Sequence, residues 1–157
     1  MQLVGLIKAE WDKTPKAESP VAINVDVIGI GAGVVDRLIE LELPAVGINV
    51  AESEAVNNKE DRQFNRLRDE LWWKSREWLE AKDCKLCDDD ELIAELTAPT
   101  YSILSNGLIK IEGKDEMKKR GVKSPNLADA WNNTFADTKL ATSDWAEPLK
   151  TNTKYIV

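Results

Sequence analysis

The sequence contains no histidine. Ser-His and Cys-His nucleophile pairs and imidazole-bound zinc are therefore excluded, and acid–base chemistry is left to carboxylates, lysine, tyrosine and cysteine. Two carboxylates stand out. Asp26 lies among Val25, Val27 and Ile28, where burying a charge costs roughly several kcal/mol unless it is paired, protonated or bound to a cation. It reads either as a strand-end acid taking amide hydrogen bonds from the glycine turn that follows, or as a metal ligand. The carboxyl end of a parallel strand is where open α/β sheets hold ligands. Asp129 lies opposite a helical stripe of Leu127, Trp131, Thr134 and Phe135, beside Asn132 and Asn133, and by itself that is a solvated face. Taken with Asp26 it becomes a candidate metal ligand, because hard divalent cations need several oxygens. Two-metal phosphodiester hydrolysis gathers carboxylates on ions about 3.5–4 Å apart and needs no histidine.

Three further constellations carry some chemistry. Lys110, Lys114, Lys118, Lys119, Arg120 and Lys123 form a basic strip in a chain of net charge −7, suited to phosphate contacts or serving as a solvated helix face. Gly29, Gly31 and Gly33 between a strand and a helix resemble a dinucleotide fingerprint, with Glu52 near the position of a ribose-binding acid. The third glycine of G-x-G-x-x-G is Val34 here, and Asp26 would repel a pyrophosphate. Cys84 and Cys87 form Cys-x-x-Cys without a second pair, flanked by Lys82-Asp83 and Asp88-Asp89-Asp90. Two reduced thiols in a polar loop are expected rather than zinc or a thioredoxin-like pair.

These residues need elements to position them. The 157 residues, 43% hydrophobic and 31% charged, suit one ordinary domain and exclude a disordered, collagen-like or disulfide-scaffold chain. No run reaches the ~20 apolar residues of a membrane span and no leader opens the sequence, so an intracellular domain is expected. The overall acidity argues against coating nucleic acid by charge alone. Met1–Ile7 reads as a strand or an opening helical turn, and the stretch from Lys8 to Pro20 shows no clean period. A strand over Ala22–Ile28, a glycine turn, a helix over Val34–Glu42 and a strand over Val46–Val50 form a βαβ unit with parallel strands. The longest helical pattern runs Asn57–Leu79, with Phe64, Leu67, Leu71 and Trp78 in one stripe. A short helix follows over Asp90–Leu96. Tyr101–Leu104 and Leu108–Ile111 flank Ser105-Asn106-Gly107, a hairpin signal in which Asn-Gly tolerates positive φ at both central positions. A basic helix covers Lys114–Arg120. Ser124 caps a last helix with Pro125 at its first position, running to about Ala136.

Val25-Asp26-Val27-Ile28-Gly29-Ile30-Gly31-Ala32-Gly33-Val34-Val35-Asp36 resembles the second acidic motif of the nuclease domain in large terminase subunits of tailed phages. Ile111-Glu112-Gly113-Lys114-Asp115-Glu116, through Ser124-Pro125-Asn126-Leu127-Ala128-Asp129-Ala130, resembles the third motif and its lead-in. Arg66-Leu67-Arg68-Asp69-Glu70-Leu71-Trp72-Trp73 is similar to the connecting helix. The three segments span residues 20–136 in family order. The resemblance implies an RNase H-like α/β fold, a mixed sheet flanked by helices, and a metal-dependent endonuclease acting on double-stranded DNA during packaging in the cytoplasm of a bacterial host. It implies Asp26 and Asp129 as catalytic carboxylates holding Mg²⁺ or Mn²⁺. Lys114, Lys118 and Lys119 would contact DNA, with portal protein or other terminase subunits as partners. Asp36 is expected to be structural.

The family's first catalytic aspartate stands on an opening strand well upstream of the second motif. Only 25 residues precede Asp26, and neither Glu10 nor Asp12 lies in an apolar strand. The opening strands and the ATPase motor are therefore expected to be missing, and no G-x-x-x-x-G-K-[ST] occurs. Residues 1–136 would be a partial nuclease domain and 137–157 a tail. Metal affinity would be weak, activity feeble or absent, and the unpaired sheet edge would invite homo-oligomers. The alternatives are a non-catalytic prophage-remnant interaction module using the tail, and a dinucleotide-binding βαβ domain.

Overall fold

A computed structural model describes residues 2–52 and 62–137. They fall into two compact units, one ending at Ile48 and the other spanning Asn49–Ala136. The expected tail beyond Asp137 and the first residues of the helix expected from Asn57 lie outside the described residues.

In the first unit, α1 (Gln2–Lys13) precedes β1 (Ile23–Asp26), α2 (Gly31–Glu40) and β2 (Ala45–Ile48). The βαβ unit forms as expected, with β1 parallel to β2 and Ile23 opposite Ala45 through Asp26 opposite Ile48. α2 begins at Gly31 and not at Val34, so two of the three glycines lie in the helix. Gly31 is required there: a Cβ on it would come 1.7 Å from the backbone oxygen of Asp26. α1 replaces the expected strand or single turn. Its Val4 joins Leu38 and Leu43 in the core, with Ile7 and Trp11 packed alongside. α2 ends in a left-handed residue, Glu42 at φ 57°, with the Leu43 amide returning to the Leu38 carbonyl at 3.0 Å.

The second unit contains α3 (Leu67–Glu80), α4 (Asp90–Thr97), β3 (Tyr101–Ile103), β4 (Ile109–Ile111), α5 (Lys114–Lys119) and α6 (Asn126–Asn132), closed by a 3-10 turn over Asn133–Phe135. The helix expected from Asn57 starts only at Leu67. Before it, Phe64 bridges Ile109 in parallel, and Asn65 and Gln63 exchange backbone hydrogen bonds with Ile109 at 3.0 and 2.9 Å. Strand-like pairing across the unit overrides local helix propensity there. The hairpin forms, but only Gly107 adopts positive φ, 82°. Its amide bonds to Leu104 O and Leu104 N to Leu108 O, both at 2.9 Å. That is a three-residue loop with glycine in the left-handed position, not a two-residue Asn-Gly turn. Trp72, Leu92, Ile111 and Ala128 form the core, with Trp73, Leu86, Leu96 and Trp131 against it. No helix among the described residues is long and apolar enough to cross a membrane.

Candidate metal and phosphate site

Asp129 is carried on α6, and the start of that helix is fixed from outside. Pro125 occupies the N-cap position and supplies no side-chain cap, so Ser124 does not have the expected role. Glu95 of α4 does the work instead, its Oε2 accepting from the amides of Leu127 at 2.7 Å and Ala128 at 3.0 Å. Two otherwise orphaned helix N–H groups thus receive a carboxylate, which also suits the helix dipole.

The Asp129 side chain is 21% exposed, so it does not lie on a solvated face. Asn132 and Asn133, expected beside it in solvent, are buried. The reason is α3, which packs along α6 and meets Asp129 with two side chains one turn apart. Trp72 Nε1 donates to Oδ1 at 3.0 Å, and Arg68 Nε stands 3.4 Å from the same oxygen. Lys114 of α5 reaches Oδ2 at 2.8 Å. Arg68 is itself held by cation–π contact with Trp72, 5.4 Å from the ring centroid, and by the Glu112 carbonyl at 3.2 Å. Its Nη2 is buried and has no hydrogen-bond partner among the described residues. One carboxylate therefore faces two formal cations and an indole N–H. Trp72 and Arg68 escaped the sequence reading as partners of this site, although their i,i+4 spacing on the connecting helix was a usable signal.

Asp69, one residue after Arg68, is buried and braces the same region. Its carboxylate accepts from Ile111 N at 2.8 Å and from Arg66 N at 3.0 Å. Burial pushes its pKa up, opposed by those two amides and by Arg68. It ties β4 to the first turn of α3, from which Arg68 and Trp72 project.

The basic strip divides in two. Lys110 pairs with Glu116 at 2.9 Å and Arg120 with Glu112 at 2.6 Å. The Arg120 guanidinium, helped by the Thr100 amide, holds the Glu112 carboxyl well below its usual value of 4.5, at about 2. The Gly113 amide, followed by Lys110, lowers Glu116. Lys118, Lys119 and Lys123 are exposed and make no ion pair among the described residues, and those are the charges free to meet an anion.

Asp26 stands in the first unit, at the carboxyl end of β1. It is exposed, contrary to the expected burial among β-branched neighbours, because its side chain leaves the strand toward solvent. Oδ1 accepts from Ile28 N at 2.9 Å, the strand-end role, and Oδ2 accepts no hydrogen bond from the described residues. Asp36 is exposed on α2 and Glu52 accepts from Asn49 Nδ2 at 3.0 Å. Cys84 and Cys87 are free thiols in the expected loop. Among the described residues no three Asp, Glu or Cys side chains gather as a group able to hold a metal.

No protein-family model and no curated protein sequence matches the chain. Among solved structures it is similar to the nuclease domain of the large terminase subunit gp2 of bacterial virus Sf6, at 22% identity and a TM-score of 0.59, covering 82% of this chain and 67% of that one. Lysine-to-alanine forms of that domain solved with manganese and with calcium both match at 21% identity and TM-scores of 0.60, covering 82% of this chain and 68% and 67% of theirs. The fold is thus the mixed α/β, RNase H-like arrangement of those nuclease domains, but in place of the single mixed sheet that the resemblance implied the described strands form two two-stranded sheets, one parallel and one antiparallel.

Proposed function

We propose that the chain is a terminase-type nuclease domain that acts on double-stranded DNA within a packaging complex in a bacterial host cell, with Asp26 and Asp129 as metal-holding carboxylates. The observation that carries this reading is the environment of Asp129, a carboxylate fixed by Arg68 and Trp72 with an ammonium group on its outer oxygen, on a fold shared with terminase nuclease domains solved with manganese and calcium. Lys114 at 2.8 Å occupies Oδ2 as a cation does, so the donor chemistry fits a divalent ion replacing it. The exposed Oδ2 of Asp26 is equally fit to ligate. Mg²⁺ or Mn²⁺, when bound, supplies charge stabilisation and a water of lowered pKa.

The chain's own residues do the rest. Arg68 and Trp72 aim the Asp129 carboxylate by holding its Oδ1. Lys114, once displaced from Oδ2, is a mobile cation for a scissile phosphate. Lys118 and Lys119, one turn further along α5, hold neighbouring phosphates and set the register of the duplex. Portal protein or other terminase subunits are the partners this role calls for.

Nicking of supercoiled plasmid with Mn²⁺ is the test, comparing the wild type with Asp26→Asn and Asp129→Asn. Feeble metal-dependent nicking, lost in both variants, is expected, since the first carboxylate of the family set has no counterpart before Asp26. A folded wild type that never nicks overturns the catalytic reading. One observation favours the second reading, a non-catalytic prophage-remnant module: both oxygens of Asp129 are satisfied internally and no third carboxylate joins them among the described residues. That module would bind DNA through Lys118 and Lys119 without any response to metal.

A further inference from the structure

The β3–β4 hairpin leaves one edge open. The Glu112 amide bonds to Thr100 O at 2.8 Å and the Leu104 amide to Leu108 O at 2.9 Å, with Ser102 opposite Lys110 between them. Antiparallel pairing alternates, so positions 100, 102 and 104 face β4, and the N–H and C=O of Tyr101 and Ile103 point the other way. The partner strand confirms the phase: the amides of Ile109 and Ile111 turn away from β3, to Gln63 O at 2.9 Å and Asp69 Oδ1 at 2.8 Å. No described residue takes up the outward groups of Tyr101 or Ile103.

This edge lacks the usual protection. All three residues of β3 are exposed, Tyr101 by 53% and Ile103 by 69%. No Asp, Glu, Lys or Arg occurs from Leu96 to Ile109, in a chain that is 31% charged. Soluble proteins blunt such edges with lysine, bulges or cover. Pro99 limits the edge on one side only.

We propose that β3 is a self-association edge, occupied by β3 of a second copy of this chain in antiparallel register about Ser102. The hydrogen-bonding phase is self-complementary in that register. Tyr101 meets Ile103 of the second copy in a hydrogen-bonded pair, and Ile103 meets Tyr101 in another, so all four outward N–H groups and four carbonyls are used or shared across the two-fold axis. The same register sets an aromatic ring against a β-branched side chain twice, a favoured cross-strand pair. The stretch itself adds no like charge to the pairing of two chains of net −7, the nearest charges being Arg76 over the Tyr101 ring at 5.7 Å and Lys110 opposite Ser102. The edge differs from the one anticipated from sequence, which would have been left by missing opening strands. The edge is only three residues long, so the interface is small and the dimer a reversible one.

Ser102 provides the test because it lies on the two-fold axis, is exposed, and faces its own copy at about 4.5 Å between Cα atoms. Sedimentation equilibrium of the full chain should show mass rising with concentration from 17.6 kDa toward twice that value. Ser102→Lys and Ser102→Glu should each remain monomeric, since like charges meet directly, and mixing the two in equal amounts should restore the dimer. The restored heterodimer also shows that both variants are folded. A wild type that stays at the monomer mass throughout overturns the proposal. So does a dimer that both variants retain, or one that the mixture fails to restore. Neither nicking activity nor its absence bears on this result.

Discussion

Lys114 and Asp129 come from consecutive helices and meet at 2.8 Å, with the lysine 51% and the aspartate 21% exposed. The lysine pairs with the one oxygen of Asp129 that Arg68 and Trp72 leave open. A half-exposed pair of this kind contributes at most about 1 kcal/mol, so it is displaceable by a stronger cation.

Lys114→Met should therefore change the unfolding free energy by less than about 1 kcal/mol while tightening Mn²⁺ binding, read by calorimetric titration. Unchanged Mn²⁺ affinity would mean that Asp129 is not a ligand.

Trp72→Phe keeps the ring but removes the N–H that holds Asp129 Oδ1. A hydrogen bond to a charged acceptor in a half-buried site is worth about 1.5–3 kcal/mol, and urea unfolding should register that loss. Trp73→Phe is the contrast, because its indole bonds only to the exposed Glu77 and should lose well under about 1 kcal/mol of hydrogen-bond energy.

The sequence made the βαβ unit, the hairpin, α4 and α5 legible, since period and turn chemistry are local signals. It did not disclose α1, whose apolar residues Val4, Ile7 and Trp11 find their face only against α2. Nor did it place Asp129 correctly. A helical wheel showed it opposite the apolar stripe, yet α3 brings Trp72 to it from 57 residues away. The helix start at Leu67 and the capping by Glu95 were hidden for the same reason: each depends on a partner distant in sequence.

Acid should expose the Arg120–Glu112–Thr100 clasp. Glu112 is held at about 2, below its ordinary value of 4.5. A depressed carboxylate contributes stability that is fully present above the ordinary value and disappears as pH falls toward 2. Thermal melts of wild type and Glu112→Gln should therefore differ at pH 6 and converge as the pH approaches 2.

Glu42 occupies a left-handed conformation at the end of α2, which costs a side-chain-bearing residue about 1–2 kcal/mol. Glu42→Gly should raise the unfolding free energy by about 0.5–1 kcal/mol after the added flexibility of the unfolded glycine is subtracted. A drop in thermal midpoint would show that the Glu42 side chain has a stabilising role of its own.

The backbone contact between Gly31 and the carbonyl of Asp26 makes the first turn of α2 a mechanical stop for the end of β1. In a library sampling every amino acid at each position, position 31 should be nearly intolerant while Gly33, with open space around it, accepts replacements freely. Damage at position 31 would be felt at Asp26 without any change in the carboxylate itself. A loss of function mapped to that glycine would then register a misplaced carboxylate, not a missing one.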